Sequence, residues 1–495
     1  MVHIIGGGLA GSEAAWQAAG AGAPVILHEM RPVRPTAVHK TDGLAELVCS
    51  NSFRGDKLDN AVGLLKEEMR RLGSVVMRAA DEARVPAGAA LAVDRERFSR
   101  AVTRAISTHP LITIVREEVP RVPRDLVEPV IIATGPLTSE SLSRDIAALV
   151  GADHLYFYDA ISPIVLAESI DRTRVFRASR WGRSLRPQSS PEGAGCGIDD
   201  GEGDYLNCPL SAAEYARFYE ALMSAEKAGV RELDDPKFFE GCLPIEVMAA
   251  RGVETLRFGP MKPVGLVDPR TGREPHAVVQ LRQDDLAGDH YSLVGFQTQM
   301  KWGDQGRVLR LIPGLEQAEF VRFGMIHRNT YINGPAVLRE TWQTRADERL
   351  FFAGQISGVE GYVESAASGL IAGRNAAALV QGQPLSVPPR TTAIGALAYY
   401  VSHANPKHYD PSNITFGIMA PIDDRLVREM RRAAKENSRE RAGREAGEAG
   451  RPSASERGWG PASTKKEARK LALSSRALAD LQTWMRDVQR QPVTR

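Results

Sequence analysis

The spacing of glycines in residues 2–29 is suited to binding a dinucleotide. Gly6, Gly8 and Gly11 fill a G-x-G-x-x-G pattern between an apolar strand run and a helical segment. The first glycine permits a tight turn, the second lets a pyrophosphate approach the backbone, and the third lets the helix pack on the strand. The helix N-terminus would point N–H groups at the phosphates, and Glu29 follows where a carboxylate can accept from a ribose. The predicted contacts are Gly6, Gly7, Gly8, Leu9, Ala10, Gly11 and Glu29.

A second nucleotide-contact pattern lies at residues 349–380, which read RLFFAGQISGVEGYVESAASGLIAGRNAAALV. A strand run leads into a glycine turn through Gly354 and Gln355. A helix of small residues then begins near Gly361 and Tyr362. We expect the N-terminus of this helix to lie beside the same cofactor.

The number and positions of these patterns distinguish between FAD and NAD as the bound cofactor. The apolar run at 129–136, PVIIATGP, predicts another strand of the nucleotide domain, ending in a turn at Gly135. The chain has one complete G-x-G-x-x-G rather than two, and a late A-G-Q turn is typical of flavoproteins built from two chain pieces. The patterns therefore favour bound FAD over NAD.

Cysteine thiols are the candidate nucleophiles. A lone cysteine is usually a small buried hydrophobic residue. Cys49 lies in a polar Ser/Asn/Arg loop that would expose it, and Cys242 lies in a Gly/Pro turn able to present a side chain. Cys208 is predicted to be structural and Cys196 incidental. Because no C-x-x-C pair occurs, we predict no metal site.

Length and composition indicate a globular protein of two or three domains with a large core. The chain has 495 residues, of which 43% are hydrophobic and 25% charged. No run approaches the ~18 apolar residues of a membrane span, and the N-terminus lacks the basic start of a signal peptide. We therefore expect a cytoplasmic protein with reduced thiols and no membrane association.

The element pattern predicts an α/β fold with a Rossmann-like FAD-binding domain in two pieces, residues 1–150 and 326–434. Residues 151–325, rich in aromatics, prolines and short strand runs, predict an inserted α+β domain. Residues 61–83 predict one helix. On it, four charged residues are interpreted as a solvated face: Glu67, Glu68, Arg70 and Arg71.

The last segment, residues 435–495, is a basic tail with 14 Lys and Arg against 8 Asp and Glu. Its first half is poor in apolar residues and is predicted to be disordered. A terminal helix follows, with Thr464 and Glu467 in a capping-box pattern. Charge alone favours a solvated tail over a nucleic-acid contact.

Long segments of the chain resemble the TrmFO family of folate- and FAD-dependent tRNA (uracil-5-)-methyltransferases. The resemblance covers roughly residues 2–425. Its most specific blocks are HEMRPVRPTAVHKTDGLAELVCSNSFRGD, FFEGCLPIEVMAARG, LVGFQTQMKWGDQ and LFFAGQISGVEGYVESAASGLIAG. It implies bound FAD, 5,10-methylenetetrahydrofolate as carbon donor and NADH or NADPH as reductant. The implied substrate is the T-loop uridine of tRNA, and no obligate protein partner is inferred.

The resemblance also implies roles for two thiols. Cys242 matches the family's nucleophile, and Cys49 matches a second functional thiol that acts as a general acid. A thiolate that adds at uracil C6 turns C5 into a carbon nucleophile, which explains why the reaction needs one. In this setting the basic tail is expected to contribute to RNA affinity.

The sequence leaves open the roles of three residues, the RNA target and some competing functions. His327, Arg328 and Asn329 either position folate or an RNA phosphate or form a polar strand end. The target is a tRNA or a ribosomal RNA uridine. Competing functions are GidA-like modification of the tRNA wobble uridine, a plain NAD(P)H–flavin oxidoreductase, and an RNA-binding module in which FAD only stabilises the fold.

Overall fold

The elements below are those of the computed structural model. The structure describes residues 1–36, 38–151, 155–160, 162–182, 203–227, 243–324, 326–423 and 465–490, with positions 425 and 428. The strands are β1 Val2–Ile5, β2 Val25–Glu29, β3 Ser52–Gly55, β4 Arg84–Val85, β5 Ala90–Val93, β6 Ile112–Arg116, β7 Val130–Ile132, β8 Leu155–Ala160, β9 Ile164–Leu166, β10 Phe176–Ala178, β11 Tyr205–Leu210, β12 Ala277–Gln283, β13 His290–Leu293, β14 Phe320–Arg322, β15 Ile326–Tyr331 and β16 Leu350–Phe352. The helices are α1 Leu9–Gly20, α2 Ala61–Arg71, α3 Val75–Glu82, α4 Arg95–Ser107, α5 Glu140–Val150, α6 Ala212–Ser224, α7 Ile245–Ala250, α8 Thr255–Phe258, α9 Trp302–Leu309, α10 Gly334–Val337, α11 Tyr362–Val380, α12 Ala393–His403 and α13 Lys465–Arg490.

A five-stranded parallel sheet in the order β16-β7-β1-β2-β6 carries the first domain. In its centre Ile4 lies opposite Leu27 on one side and Ile131 on the other. Its strands are short apolar runs, as expected where helices cover both faces of a parallel sheet. Four strands come from the first 132 residues and the fifth from residues 350–352. The predicted α/β Rossmann-like fold class is confirmed.

A separate six-stranded antiparallel sheet, in the order β10-β11-β12-β13-β9-β14, carries the inserted domain. Its core gathers around Phe218, Leu281 and Phe296, apart from the core of the parallel sheet. The chain passes between the two domains through β8 and β15, which pair antiparallel with each other. Both crossings therefore lie side by side.

The single helix predicted over residues 61–83 is wrong, because the chain forms α2 and α3 with a break between them. Gly73 at the break has φ +73°, a left-handed conformation that ends a helix readily. The Ser74 side chain then accepts from the Met77 N–H at 3.1 Å and caps the next helix. A Gly-Ser pair thus separates two helices whose apolar spacing is continuous.

The prediction that four charged residues of α2 form a solvated face is also wrong for two of them. Glu68 is fully buried, and its two carboxyl oxygens accept from the N–H groups of Ala393 and Ile394 at 2.8 and 2.9 Å. It therefore caps the N-terminus of α12. Arg70 is held by Asp81 at 2.8 Å. Tertiary packing has turned one edge of the charged face inward.

The terminal helix α13 packs on the domain of the parallel sheet. Ala477 and Leu481 are buried in that domain's core, and the Trp484 indole donates to the Ser386 hydroxyl at 2.9 Å. The expected capping box and disordered half of the tail lie outside the described residues. The contribution of the tail to RNA affinity stays a prediction.

Glu68 predicts a specific pH dependence of stability. Burial raises the pKa of this carboxyl from 4.5 to about 8, although the two backbone N–H groups oppose the shift. A raised pKa in the folded state favours folding at low pH, and this contribution is lost as the pH rises from about 4.5 through about 8. Urea unfolding between pH 5 and 9 should therefore show wild type losing stability relative to Glu68→Gln as the pH rises.

The matched control is Glu67→Gln on the same helix, where the carboxylate pairs with Arg71 at the surface. Its difference from wild type should stay nearly constant over this pH range. An equally constant difference for Glu68→Gln would contradict the assignment of Glu68 as a buried, protonated cap.

Candidate functional site

A cavity opens at the carboxyl edge of the parallel sheet, where ligands bind in open α/β folds. Its empty volume, including space open to solvent, is about 1040 Å³. Ten of the twelve predicted cofactor contacts line it: Gly6, Gly7, Gly8, Leu9, Ala10, Glu29, Gly135, Gly354, Gln355 and Tyr362. Of the other two, Gly11 packs beneath the first turn and Gly361 precedes Tyr362. The two nucleotide-contact patterns thus meet in one cavity.

Each glycine of the first turn has a distinct environment. Gly6 has φ +106°, and a Cβ there would lie 2.6 Å from the Ala133 carbonyl oxygen. At Gly11 a Cβ would lie 1.8 Å from the Gly6 carbonyl oxygen, so only glycine lets α1 sit this close to β1. At Gly8 a Cβ would meet no described atom within 4 Å. Gly6 and Gly11 serve the fold, and Gly8 leaves space for a ligand.

Glu29 presents an ionised carboxylate at the end of β2. It accepts from the Gly7 N–H at 2.9 Å and from the Arg31 N–H and Nε at 3.0 and 2.9 Å. Burial opposes its ionisation, but the Arg31 guanidinium and these N–H groups outweigh burial and lower the pKa of Glu29. A carboxylate has about four acceptor sites. With three in use, one remains on Oε2 for a ribose hydroxyl.

Two helices direct their N-termini at this cavity. At Gly8 and Gly361, the residues that start α1 and α11, no described side chain caps the helix. A Cβ on α11 at Gly369 would lie 2.1 Å from the Ala10 carbonyl oxygen, and one at Gly373 would lie 2.3 Å from that of Ala14. The helices are therefore in backbone contact, and their free N–H groups and positive dipole ends converge.

Tyr362, the first residue of α11, joins the cavity to the loop that carries Cys49. Its hydroxyl oxygen accepts from the Cys49 N–H at 2.9 Å and the Ser50 N–H at 3.1 Å. Burial raises the pKa of the Tyr362 hydroxyl, so it is protonated at neutral pH. Val48 lines the cavity, and Cys49 follows it, half-buried. The thiol predicted to be functional thus lies next to the predicted cofactor site.

Other predicted site residues lie wholly or partly outside the described residues. This holds for Cys242 and Cys196. The backbone at 327–329 forms part of β15 opposite β8, but the side chains of His327, Arg328 and Asn329 lie outside the description. Cys208 is fully buried in the inserted domain, and burial raises the pKa of its thiol, as suits a structural residue.

Several cavity residues were not among the predicted contacts because they come from the polar segment 31–60. His39 lies at the cavity wall, where burial and the charge of Arg31 lower its pKa from 6.5 to about 4. Its ring is therefore neutral at physiological pH, and it pairs with the Thr36 hydroxyl at 2.6 Å. The signal available was that His39 belongs to the block HEMRPVRPTAVHK, one of the segments that resemble the TrmFO family.

The described ranges contain no group of three or more His, Cys, Asp or Glu side chains placed to hold a metal ion. None of their helices combines the length and apolarity of a membrane span.

The different surroundings of Gly11 and Gly8 allow the geometry of the first glycine turn to be tested. Gly11→Ala should lower the unfolding temperature by about 5 °C or more, because the new methyl overlaps the Gly6 carbonyl. Gly8→Ala is the matched control and should change it by no more than about 2 °C, since its methyl meets open space and its φ is −74°. Thermal unfolding followed by circular dichroism measures both, and equal effects would refute this geometry.

The chain is similar to known proteins over most of its length. A family model described as glucose inhibited division protein A matches residues 1–384. The TrmFO methylenetetrahydrofolate–tRNA-(uracil-5-)-methyltransferase of Anoxybacillus flavithermus is 58% identical over 425 residues, covering 86% of this chain and 94% of that protein. The TrmFO of Geobacter sulfurreducens is 56% identical over 431 residues, covering 87% and 95%.

A solved structure shares the fold at much lower identity. Aquifex aeolicus GidA in its form II crystal has a TM-score of 0.63 and 17% identity, covering 99% of this chain and 88% of that one. The GidA alternative is therefore a distant relative, and the resemblance predicted from the sequence is confirmed. Aligned over 86–87% of its length at 56–58% identity, the chain belongs to the TrmFO family of methylenetetrahydrofolate–tRNA-(uracil-5-)-methyltransferases.

Proposed function

We propose that this protein is a folate- and FAD-dependent methyltransferase that methylates C5 of the T-loop uridine in tRNA. The observation that carries the proposal is its identity of 54–58% with proteins of that name over most of both chains. Methylenetetrahydrofolate is the carbon donor, and NADH or NADPH the reductant. The protein acts in the cytoplasm without an obligate protein partner.

The cavity residues fit an FAD. The uncapped N-termini of α1 and α11 supply N–H groups for its pyrophosphate, and open space at Gly8 lets the phosphates approach the backbone. Glu29 keeps one acceptor site for a ribose hydroxyl. The turns at Gly135 and Gly354 complete the wall. FAD, when bound, carries the electrons from the nicotinamide that reduce the transferred carbon to a methyl group.

The thiols activate the uracil. The Cys242 thiolate forms a bond to C6, which makes C5 nucleophilic enough to attack the methylene carbon of the folate. C5 then loses its proton, the bond between the methylene carbon and the folate nitrogen breaks, and tetrahydrofolate leaves. Once the methylene group has been reduced, the Cys242 thiolate departs from C6. Cys49, whose N–H donates to the Tyr362 hydroxyl at the cavity wall, assists by accepting the C5 proton. His327, Arg328 and Asn329 position the folate or an RNA phosphate.

Transfer of labelled methylene tests the function. Wild-type protein should be yellow and, with NADPH and labelled methylenetetrahydrofolate, should place the label on a T-arm transcript. Gly8→Leu should fold but lose both the flavin and the transfer, because its side chain fills the open space beside the first turn. Wild type that takes up no FAD would contradict the proposal.

The RNA target is resolved in the same assay. Label on a ribosomal RNA fragment but not on tRNA would move the substrate to the ribosome. Label at the wobble uridine of tRNA would favour the GidA-like activity.

The nucleophile is tested with RNA that carries 5-fluorouracil at the target position. Fluorine cannot leave C5 as a proton does, so the covalent adduct should persist with wild-type protein. Cys242→Ala should form no adduct and should methylate no RNA, while keeping FAD and NADPH oxidation. Cys196→Ala is the matched control and should retain the adduct. Peptide mapping of the adduct to Cys49 would reverse the assignment.

A further inference from the structure

Three arginines from three separate elements hold the loop that carries Cys49. This arginine cluster consists of Arg95 on α4, Arg282 on β12 and Arg322 on β14. Two of its members belong to the sheet of the inserted domain, whereas the loop belongs to the nucleotide-binding domain. The loop comprises Leu47–Asn51 and leads into β3.

The cluster contacts every residue of the loop. Arg95 Nη1 donates to the Leu47 carbonyl oxygen at 2.7 Å. Arg322 Nη1 and Nη2 donate to the carbonyl oxygens of the next two residues, Val48 and Cys49, at 3.1 and 3.2 Å.

The last two residues of the loop are held through their side chains. Arg282 Nη2 donates to the Ser50 hydroxyl at 2.9 Å, and its Nε donates to the Asn51 side-chain oxygen at 2.8 Å. Because the Tyr362 hydroxyl accepts from the Cys49 and Ser50 N–H groups, both edges of the backbone at Cys49 are fixed.

The charges of the cluster do not balance among the described residues. The carboxylate next to it, Asp284, forms a bidentate pair with Arg95 at 3.0 and 3.2 Å. Arg282 and Arg322 are paired with neutral oxygens, and the Arg322 Nε is buried with no hydrogen-bond partner in the described ranges. Burial of a cation without an anion is costly. An excess of buried positive charge therefore surrounds the loop.

We infer that Arg282 and Arg322 are positioning residues that hold the Cys49 sulfur at the cofactor cavity and keep it ionised. The inference rests on the proposed function, in which Cys49 assists by proton transfer; an ionised Cys49 does so as the base that accepts the C5 proton, not as a general acid. A thiolate supplies the anion that the cluster lacks, and nearby guanidinium groups favour the thiolate over the thiol. Since both arginines come from the inserted domain, the reactivity of Cys49 depends on how that domain is seated.

Charged and titratable groups of four elements interact electrostatically with Cys49, and one carboxylate interacts with the arginines among them. These groups are Arg95, Arg282, Asp284, Arg322 and Tyr362. The electrostatic influence of Cys49 favours the charged forms of Arg95, Arg282 and Arg322. Burial nevertheless lowers the pKa of Arg282 and of Arg322, as expected for cations short of a counter-charge.

The experiment measures the rate at which iodoacetamide alkylates Cys49 in the full-length, flavin-bound protein as a function of pH, with peptide mass mapping to resolve each cysteine. For wild type, the pH at which the alkylation rate of Cys49 reaches half its maximum should lie below the ordinary thiol pKa of about 8.5. Arg322→Met should raise this midpoint pH by about one unit or more. Arg322→Lys keeps the charge and should restore most of the shift.

Two further variants separate electrostatics from structural damage. Asp284→Asn removes the negative charge next to the cluster, so it should move the midpoint further down, opposite to any loosening of the loop. Arg310→Met is the matched control, because this exposed arginine of the same domain donates to the Ala318 carbonyl oxygen and not to the loop. Its midpoint should equal that of wild type.

Either of two results would overturn the inference: an ordinary midpoint for wild type, or a midpoint unchanged in Arg322→Met. Alkylation needs neither RNA nor folate. Failure of methyl transfer would therefore refute the proposed function while leaving the role of the cluster testable.

Discussion

The backbone contact between α1 and α11 determines where a cofactor can lie. Gly369 and Gly373 bring α11 against the carbonyl groups of α1, and Gly11 brings α1 against the end of β1. These contacts leave no room for side chains, so the two helices cannot tilt or slide independently. Both helices therefore start at the same edge of the sheet. The anion-binding property of the cavity is a product of this packing rather than of any single charged residue.

The inserted domain contributes to the site through the Cys49 loop. Its antiparallel sheet has its own core, and Arg282 on β12 and Arg322 on β14 contact that loop beside the cavity. The two domains therefore contribute different parts of the site. One provides the helix termini and glycine turns that suit a dinucleotide, and the other fixes the loop that carries a thiol.

The sequence predicted those parts of the molecule that depend on residue patterns within a short stretch of chain. The spacing of Gly6, Gly8 and Gly11 and the acid at Glu29 predicted a turn, a helix and an acceptor. The apolar runs before Gly6, at 129–136 and before Gly354 predicted three strands of the parallel sheet, whereas β6 was not predicted. Resemblance supplied the family. The break at Gly73 was missed because apolar helical spacing continues across it, and a left-handed glycine followed by a serine cap outweighs that spacing.

What sequence could not supply was long-range pairing. Glu68 reads as a surface acid beside Glu67, yet its partners at the start of α12 lie 325 and 326 residues away. Arg282 and Arg322 read as ordinary charges on strands, and their partners in the Cys49 loop are more than 230 residues away. No window along the chain contains both members of such a pair, so their burial follows only from the topology.

The division of the nucleotide-binding domain into two distant pieces has a consequence for how the protein is made. The Gln381 side chain donates to the Ala21 carbonyl oxygen, 360 residues earlier in the chain. A ribosome adding about 5–20 residues per second needs tens of seconds to cover that separation. During this time α1 lacks α11, and β7 lacks β16 at its edge. The sheet of the inserted domain lies wholly between residues 164 and 322, so it can be complete earlier. On the ribosome, every strand of the inserted domain's sheet is therefore available for pairing before the last strand of the parallel sheet has been made.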